Sequence, residues 1–127
     1  HTAVAPGQTL PAASAAQDMP RPVLLVLSRC ADPAREAEFN RWYNDVHLPD
    51  IFEAKGILSC FRYENTHRKE GEPHYLALYE LASEDTRAIM DGLNTIMAEK
   101  RRQGRISDLY QRWLNNTFRR VYPQQGP

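Results

Sequence analysis

Residues 38–51, Glu38-Phe39-Asn40-Arg41-Trp42-Tyr43-Asn44-Asp45-Val46-His47-Leu48-Pro49-Asp50-Ile51, decide the fold of this 127-residue chain. Apolar side chains recur there at the i, i+3, i+4, i+7 spacing of a helix with one apolar side: Phe39, Trp42, Tyr43 and Val46. A helix would also bring Tyr43, His47 and Asp50 near one face, because residues three and four apart are neighbours on its surface. We expect Pro49 to interrupt the helix just after the histidine. The stretch therefore predicts a core-packing side and a cluster of titratable groups.

The composition is that of an ordinary folded domain, with 42% hydrophobic and 25% charged residues. Sixteen basic residues balance sixteen acidic ones, so no overall field attracts nucleic acid or an anionic membrane. No apolar run approaches the ~18 residues that a membrane span needs. We expect neither nucleic acid nor a membrane as a partner.

The chain divides into a tail and one domain. Residues 1–21 are rich in Ala, Pro, Ser, Gln and Thr and show no periodicity, so we expect a flexible N-terminal tail. Residues 22–127 have the length of a single domain. Cys30 and Cys60 lack the spacing of metal ligands. We expect two free, mostly buried thiols, which favours a reducing, cytoplasmic location; a disulfide between them is the alternative.

Strand and helix patterns alternate along the domain. Ser83 is expected to cap a second helix that ends before Gly104, and the spacing from Ile106 to Trp113 predicts a further short helix. Four strands are predicted from runs of apolar or alternating residues: Pro22–Arg29, Ile57–Asn65, His74–Leu81 and Thr117–Tyr122. The order β-α-β-β-α-β predicts a ferredoxin-like α+β fold, a four-stranded antiparallel sheet with helices on one face.

The predicted strands are apolar on both faces, whereas two helices can cover only one face of the sheet. An uncovered apolar face of that size is an aggregation hazard. We therefore expect a homodimer in which two sheets pack face to face as a dimeric α/β barrel.

The motif Trp42-Tyr43-x-x-Val46-His47-x-Pro49-Asp50 resembles the EthD-like branch of the dimeric α/β-barrel superfamily. Three further stretches share the resemblance: Gly56-Ile57, Phe61-Arg62-Tyr63 and Tyr75–Leu81. The superfamily includes cofactor-free lyases, isomerases, polyketide cyclases, monooxygenases and haem enzymes, so the fold alone does not fix the chemistry. The resemblance implies that His47 points into a pocket and transfers a proton, paired with a tyrosine or an acid.

Three residues are candidate catalytic groups. His47 suits proton transfer because its ordinary pKa lies near 6.5; its alternative role is to bond carbonyl groups at a helix end. Asp50 could orient the imidazole, or cap the turn after Pro49. Tyr43 could donate a hydrogen bond to a substrate oxygen, or simply pack in the core.

Aromatic side chains from the same helix and the central hairpin could line a pocket for a planar substrate, although each of them could equally serve sheet packing. These candidate substrate-binding residues are Trp42, Phe61, Tyr63, Tyr75 and Tyr79.

A metal site would require His47, Asp50 and His74 to meet, and their spacing matches no known ligand pair. We expect neither a metal nor a cofactor. The sequence thus predicts a cofactor-independent acid–base enzyme of the dehydratase, cyclase, isomerase or decarboxylase type, acting on a small hydrophobic, aromatic or polyketide-like molecule. The alternatives are a non-catalytic ligand-binding dimer and a cofactor-free monooxygenase of the same fold.

Overall fold

Four antiparallel strands form one sheet in the order β2-β3-β1-β4. They are β1 (Val23–Cys30), β2 (Ile57–Glu64), β3 (Tyr75–Leu81) and β4 (Tyr110–Phe118). The computed structural model describes residues 21–123, so the predicted tail lies outside the described residues except for Arg21. This sheet, with helices between β1 and β2 and between β3 and β4, is the predicted ferredoxin-like α+β fold.

The central strand β1 pairs with β3 on one side and with β4 on the other, so that Val23 lies opposite both Glu80 and Phe118. Its residues alternate between buried and half-buried along the whole strand. The buried set faces the helices, and the half-buried set faces away from them. The expectation of two apolar faces is therefore met, but in this single chain only one of them is covered.

The first helical segment runs from residue 33 to residue 51 in four consecutive parts. A 3₁₀ turn, Pro33–Arg35, precedes helix α1 (Glu36–Trp42), and a π-helical turn, Tyr43–His47, leads into helix α2 (Leu48–Ile51). The Asp32 carboxylate begins the segment by accepting a hydrogen bond from the backbone N–H of Ala34 at 3.0 Å.

Helix α3 (Thr86–Arg102) packs beside this segment on the same face of the sheet. Its predicted apolar stripe is confirmed, because Ile89 and Leu93 are buried and Ile96 and Met97 pack against the core. Its N-cap is Asp85 rather than the predicted Ser83: the Asp85 carboxylate accepts from the Ala88 N–H at 3.1 Å. None of the helices within residues 21–123 is long and apolar enough to cross a bilayer.

The helical segment continues through Pro49, contrary to the prediction that it would be interrupted there. Proline lacks an N–H and its ring crowds the carbonyl one α-helical turn earlier. The π-helical turn removes the conflict, since the backbone N–H of Leu48 bonds the Tyr43 carbonyl, five residues back. The extra residue in this turn accommodates the proline without a break.

The predicted short helix at residues 106–113 is wrong, and the last strand begins seven residues earlier than expected. Residues 110–118 form β4 against β1, with Tyr110 opposite Cys30. The helical spacing of Ile106, Leu109, Tyr110 and Trp113 was coincidental. Backbone hydrogen bonding to a central strand outweighed it, because that pairing satisfies every second donor and acceptor of β4.

Candidate active site

A cavity of about 310 Å³ lies between the sheet and the helices. Strands β1, β3 and β4 form its floor, and helix α3 with the end of the first helical segment forms its walls. Its lining residues are Leu24, Val26, His47, Ile51, Tyr79, Leu93, Asn94, Met97, Arg101, Ile106, Tyr110, Arg112 and Asn115. The volume is at the lower end of the roughly 300–1,000 Å³ typical of small-molecule sites.

His47 forms part of the cavity wall and is only 4% exposed. Its ring stacks on Trp42, with centroids 4.6 Å apart and an interplanar angle of 21°. Tyr43 and Tyr110 contact the ring from two other directions, with ring centroids 4.9 and 5.2 Å from that of the imidazole. Among the described residues, Nδ1 of His47 has no hydrogen-bond partner. The imidazole is thus fixed by aromatic packing and does not bond the main chain.

The surroundings of His47 keep its imidazole neutral. Burial lowers its pKa from 6.5 to about 4, and the positive charges of Arg112 and Arg62 act in the same direction. The negative charge of Asp50 opposes them. At neutral pH the ring therefore has one nitrogen able to accept a proton.

Three tyrosines lie around the cavity wall that His47 forms: Tyr43 and Tyr110 contact its ring, and Tyr79 lines the same cavity. Tyr43 and Tyr79 are joined through their hydroxyl groups at 3.2 Å, and both rings are fully buried. Burial raises the pKa of both phenols well above the usual value, and it also raises the pKa of Tyr110. Tyr79 and Tyr110 line the cavity, whereas Tyr43 does not line it and contacts Tyr79. The cavity is accordingly faced by protonated phenols, which can donate hydrogen bonds.

Asp50 is directed at Arg105 and not at the imidazole. Its carboxylate accepts two hydrogen bonds from that guanidinium, at 2.7 and 2.9 Å, and Lys100 lies 3.8 Å away. The bonds from Arg105, more than any other contact, lower the pKa of this carboxyl group. Asp50 therefore acts on His47 through its charge, and its predicted role in holding the ring by direct contact has no hydrogen bond to support it.

The structure separates the five predicted substrate-binding residues. Tyr79 lines the cavity, and Trp42 stacks on His47 and donates from Nε1 to the Arg105 carbonyl at 2.8 Å. Tyr75 faces the helices, but its hydroxyl donates to Glu36 at 2.6 Å and accepts from Asn40 at 3.0 Å.

Phe61 and Tyr63 lie on the face of the sheet opposite the helices, 50% and 55% exposed. They share that face with Leu78 and Leu76, their partners in β3. The prediction that all four hairpin aromatics converge on one pocket is thus corrected, because successive strand residues point to opposite faces.

Sequence reasoning missed the part of the site that β4 supplies. Tyr110, Arg112 and Asn115 line the cavity, as does Arg101 from α3. Tyr110 and Trp113 are residue types that favour strands, but Gln111 and Arg112 between them give no period of two, and the helical spacing concealed the strand. Cys30 and Cys60 are both free thiols, as expected. No three metal-binding side chains of residues 21–123 converge on one point.

Comparisons with known proteins bear on the fold. No protein-family model and no curated protein matches the chain. Among solved structures, HapK from Hahella chejuensis covers 84% of this chain and 98% of its own, with a TM-score of 0.59 and 10% identity. A protein from Shewanella loihica, provisionally named a monooxygenase, covers 81% and 97%, with a TM-score of 0.51 and 16% identity.

A third solved structure, a dimeric ferredoxin-like protein of unknown function from Thermobifida fusca, has a TM-score of 0.47 and 16% identity and covers 80% of this chain and 92% of its own. The likenesses to HapK and to the Shewanella protein support the ferredoxin-like fold described above.

Proposed function

We propose that this protein is a cofactor-independent acid–base enzyme that acts on an aromatic or polyketide-like small molecule, with His47 transferring the proton. One observation carries the proposal: a buried, neutral imidazole, whose Nδ1 has no hydrogen-bond partner among residues 21–123, forms part of the wall of a cavity. An orphaned buried nitrogen costs about 1–3 kcal/mol, so its presence beside a cavity points to a role with a bound molecule. The motif around His47 that resembles the EthD-like branch supports the same reading.

The chemistry requires a base next to a carbonyl compound in a site with little water. His47 would accept a proton from the carbon beside the carbonyl, and a phenol of the cavity wall would donate a hydrogen bond to the enolate oxygen. Tyr79 and Tyr110 line the cavity, and either hydroxyl would serve as this donor. Dehydration, cyclisation and isomerisation require this removal of a proton, and decarboxylation requires the reverse transfer, a proton supplied to the carbon that CO₂ leaves.

Two predicted residues support the reaction from a distance. Tyr43 bonds the Tyr79 hydroxyl and fixes its direction. Asp50, kept ionised by Arg105, favours the imidazolium that forms when His47 takes the proton. Both are positioning residues in this proposal.

Deuterium exchange tests the proton transfer without knowledge of the product. The protein is incubated in D₂O with bicyclic aromatic ketones such as 1-tetralone, and NMR follows deuterium entering the carbon beside the carbonyl. We expect acceleration by the wild-type protein, and a loss of roughly 100-fold or more in His47→Gln, the size typical of a general base. His67→Gln, a change at an exposed histidine, is the control. Equal exchange by the two variants would remove His47 from the mechanism.

We further propose that a second copy of the chain covers the open face of the sheet. Large side chains are exposed there without cover, among them Phe61, Trp113 and Phe118 at 50%, 45% and 46%. Sedimentation should show a dimer for the wild-type protein and a monomer for Phe61→Glu. Phe52→Glu, at a residue 42% exposed but outside the sheet, should remain dimeric. A monomeric wild-type protein would contradict this assignment.

A cofactor-free monooxygenase is the second candidate function, favoured by the fold likeness to the Shewanella protein. Oxygen consumption with a phenolic substrate distinguishes it from proton transfer alone. A non-catalytic ligand-binding role would leave every such compound unchanged. The expected cytoplasmic location stays a prediction.

A further inference from the structure

We infer that the cavity takes a small aromatic carboxylate, whose anionic group is held at the cavity mouth by Arg101 and Arg112. The inference rests on the proposed function, because it names the substrate class of the same site. It deepens that function by adding a charge to a substrate so far described only by shape.

The first argument is the charge of the lining. Arg101 comes from the last turn of α3, and Arg112 comes from β4 on the opposite side of the cavity. None of the lining residues within the described chain is an aspartate or a glutamate. Asn94 and Asn115 add neutral amide donors. A bound anion would therefore meet donors and positive charge with no acidic group to repel it.

The second argument is that these two guanidinium groups have no carboxylate partner within the described chain. Three other arginines of the described chain are paired with carboxylates: Arg105 with Asp50, Arg35 with Glu38 at 2.6 Å, and Arg102 with Glu99. Within residues 21–123, neither Arg101 nor Arg112 has a carboxylate within 4.0 Å. A guanidinium matches the planar carboxylate with two parallel hydrogen bonds. Both arginines are thus available to a ligand.

The third argument is the shape and polarity of the interior. Beside the arginines the cavity is lined by apolar side chains such as Val26, Leu93 and Met97. Its volume of about 310 Å³ corresponds to about ten water molecules at roughly 30 Å³ each. One or two fused rings fit such a space, with the charged group at the mouth and the rings beside His47.

An anionic ligand also answers a difficulty of the mechanism. A base with a pKa of about 4 is weak at neutral pH, and the nearby charges of Arg112 and Arg62 contribute to that value. A carboxylate bound to Arg112 would offset this positive charge, as Asp50 already does in part. Substrate binding would therefore raise the basicity of His47 at the moment when it is needed.

Binding of 2-naphthoate and 2-naphthamide, compared by calorimetry at pH 7.5 and low salt, tests the inference. The two probes share size and shape, but only the acid is charged, since carboxylic acids have an ordinary pKa of about 4. Each partly exposed ion pair contributes up to about fivefold in affinity, so we expect 2-naphthoate to bind roughly tenfold more tightly. The preference should weaken as salt is added.

Variants of exposed residues locate the effect without endangering the fold. In the double variant Arg101→Gln/Arg112→Gln, the two probes should bind within about twofold of each other. Arg87→Gln, on the same helix but outside the cavity, should keep the full preference. Proton NMR should show a higher His47 pKa with 2-naphthoate bound than with 2-naphthamide.

The outcomes separate this inference from the proposed function. Equal affinity for the two probes, a preference that survives the double arginine variant, or no binding of either probe would overturn the inference. A lost preference with intact deuterium exchange on 1-tetralone would leave the proton transfer standing. Conversely, His47→Gln should lose exchange and still prefer 2-naphthoate, which would sustain the anion site whatever the role of His47.

Discussion

The buried imidazole of His47 should make the stability of this protein fall between pH 7 and pH 5. The folded state holds its pKa at about 4, whereas an unfolded chain restores the ordinary value of 6.5. As pH falls below 6.5, the imidazole of the unfolded chain therefore binds a proton, whereas the imidazole of the folded chain does not. The unfolded state is favoured by that binding, so the free energy of unfolding decreases.

The magnitude follows from the two pKa values. Between pH 7 and pH 5 the linkage amounts to about 2 kcal/mol of lost stability from His47 alone, and the full difference approaches about 3 kcal/mol near pH 4. The upper window is the useful one, because carboxylates have ordinary pKa values of about 4 and begin to interfere at lower pH. Against the 5–15 kcal/mol typical of a domain, the effect is large enough to measure.

Urea unfolding of the wild-type protein and of His47→Gln, at fixed protein concentration across pH 7, 6 and 5, measures the effect. The other histidines titrate in both proteins, so the difference between the two pH dependences isolates His47. We expect the wild-type protein to lose about 2 kcal/mol more than the variant. NMR titration of the imidazole gives an independent value of the pKa. Parallel pH dependences, or a His47 pKa near 6.5, would refute the account of its burial.

Two further predictions concern stability at neutral pH. Gly56→Ala should lower the free energy of unfolding by about 2–4 kcal/mol, because Gly56 has a φ of +96° and an added Cβ would lie 2.8 Å from Cγ1 of Ile89. Gly71→Ala, at a φ of +84° with open space around it, should lower it by only about 1–2 kcal/mol. Equal losses for the two variants in urea unfolding would contradict the steric argument. Asp50→Asn should cost about 2 kcal/mol by removing the charge that Arg105 bonds. The pKa of Asp50 is lowered on folding, so this second loss should shrink as pH falls into the acid range, and a loss independent of pH would argue against it.

The sequence was most informative where local pattern and tertiary structure agree. The unbroken apolar run of β1 and the stripe at Ile89 and Leu93 predicted their elements correctly. In both cases the spacing of the apolar residues matches the side chains that the folded domain buries. The pattern at residues 106–113 failed because its apolar spacing is that of a helix, whereas the backbone from Tyr110 onward forms a strand. Pairing with β1, which no local rule contains, decided between them.

The sequence predicted only part of the candidate site, for the same reason. His47 was found through its motif and its spacing from the apolar stripe. Tyr110 and Arg112 were missed because their strand was read as a helix, and the link from Asp50 to Arg105 joins residues 55 positions apart. An ion pair between residues so far apart in the chain cannot be predicted from the local spacing of residues.

The π-helical turn at Tyr43–His47 sets the direction in which the later side chains of the helical segment project. Successive residues of an α-helix are rotated by about 100° about its axis, so one additional residue in a turn changes the phase of everything that follows. His47 ends this turn and Asp50 follows it, so the extra residue shifts both of them together relative to helix α1. Loss of one residue from this turn would change the sequence motif little, but it would rotate the imidazole away from the cavity and the acid away from Arg105 at the same time.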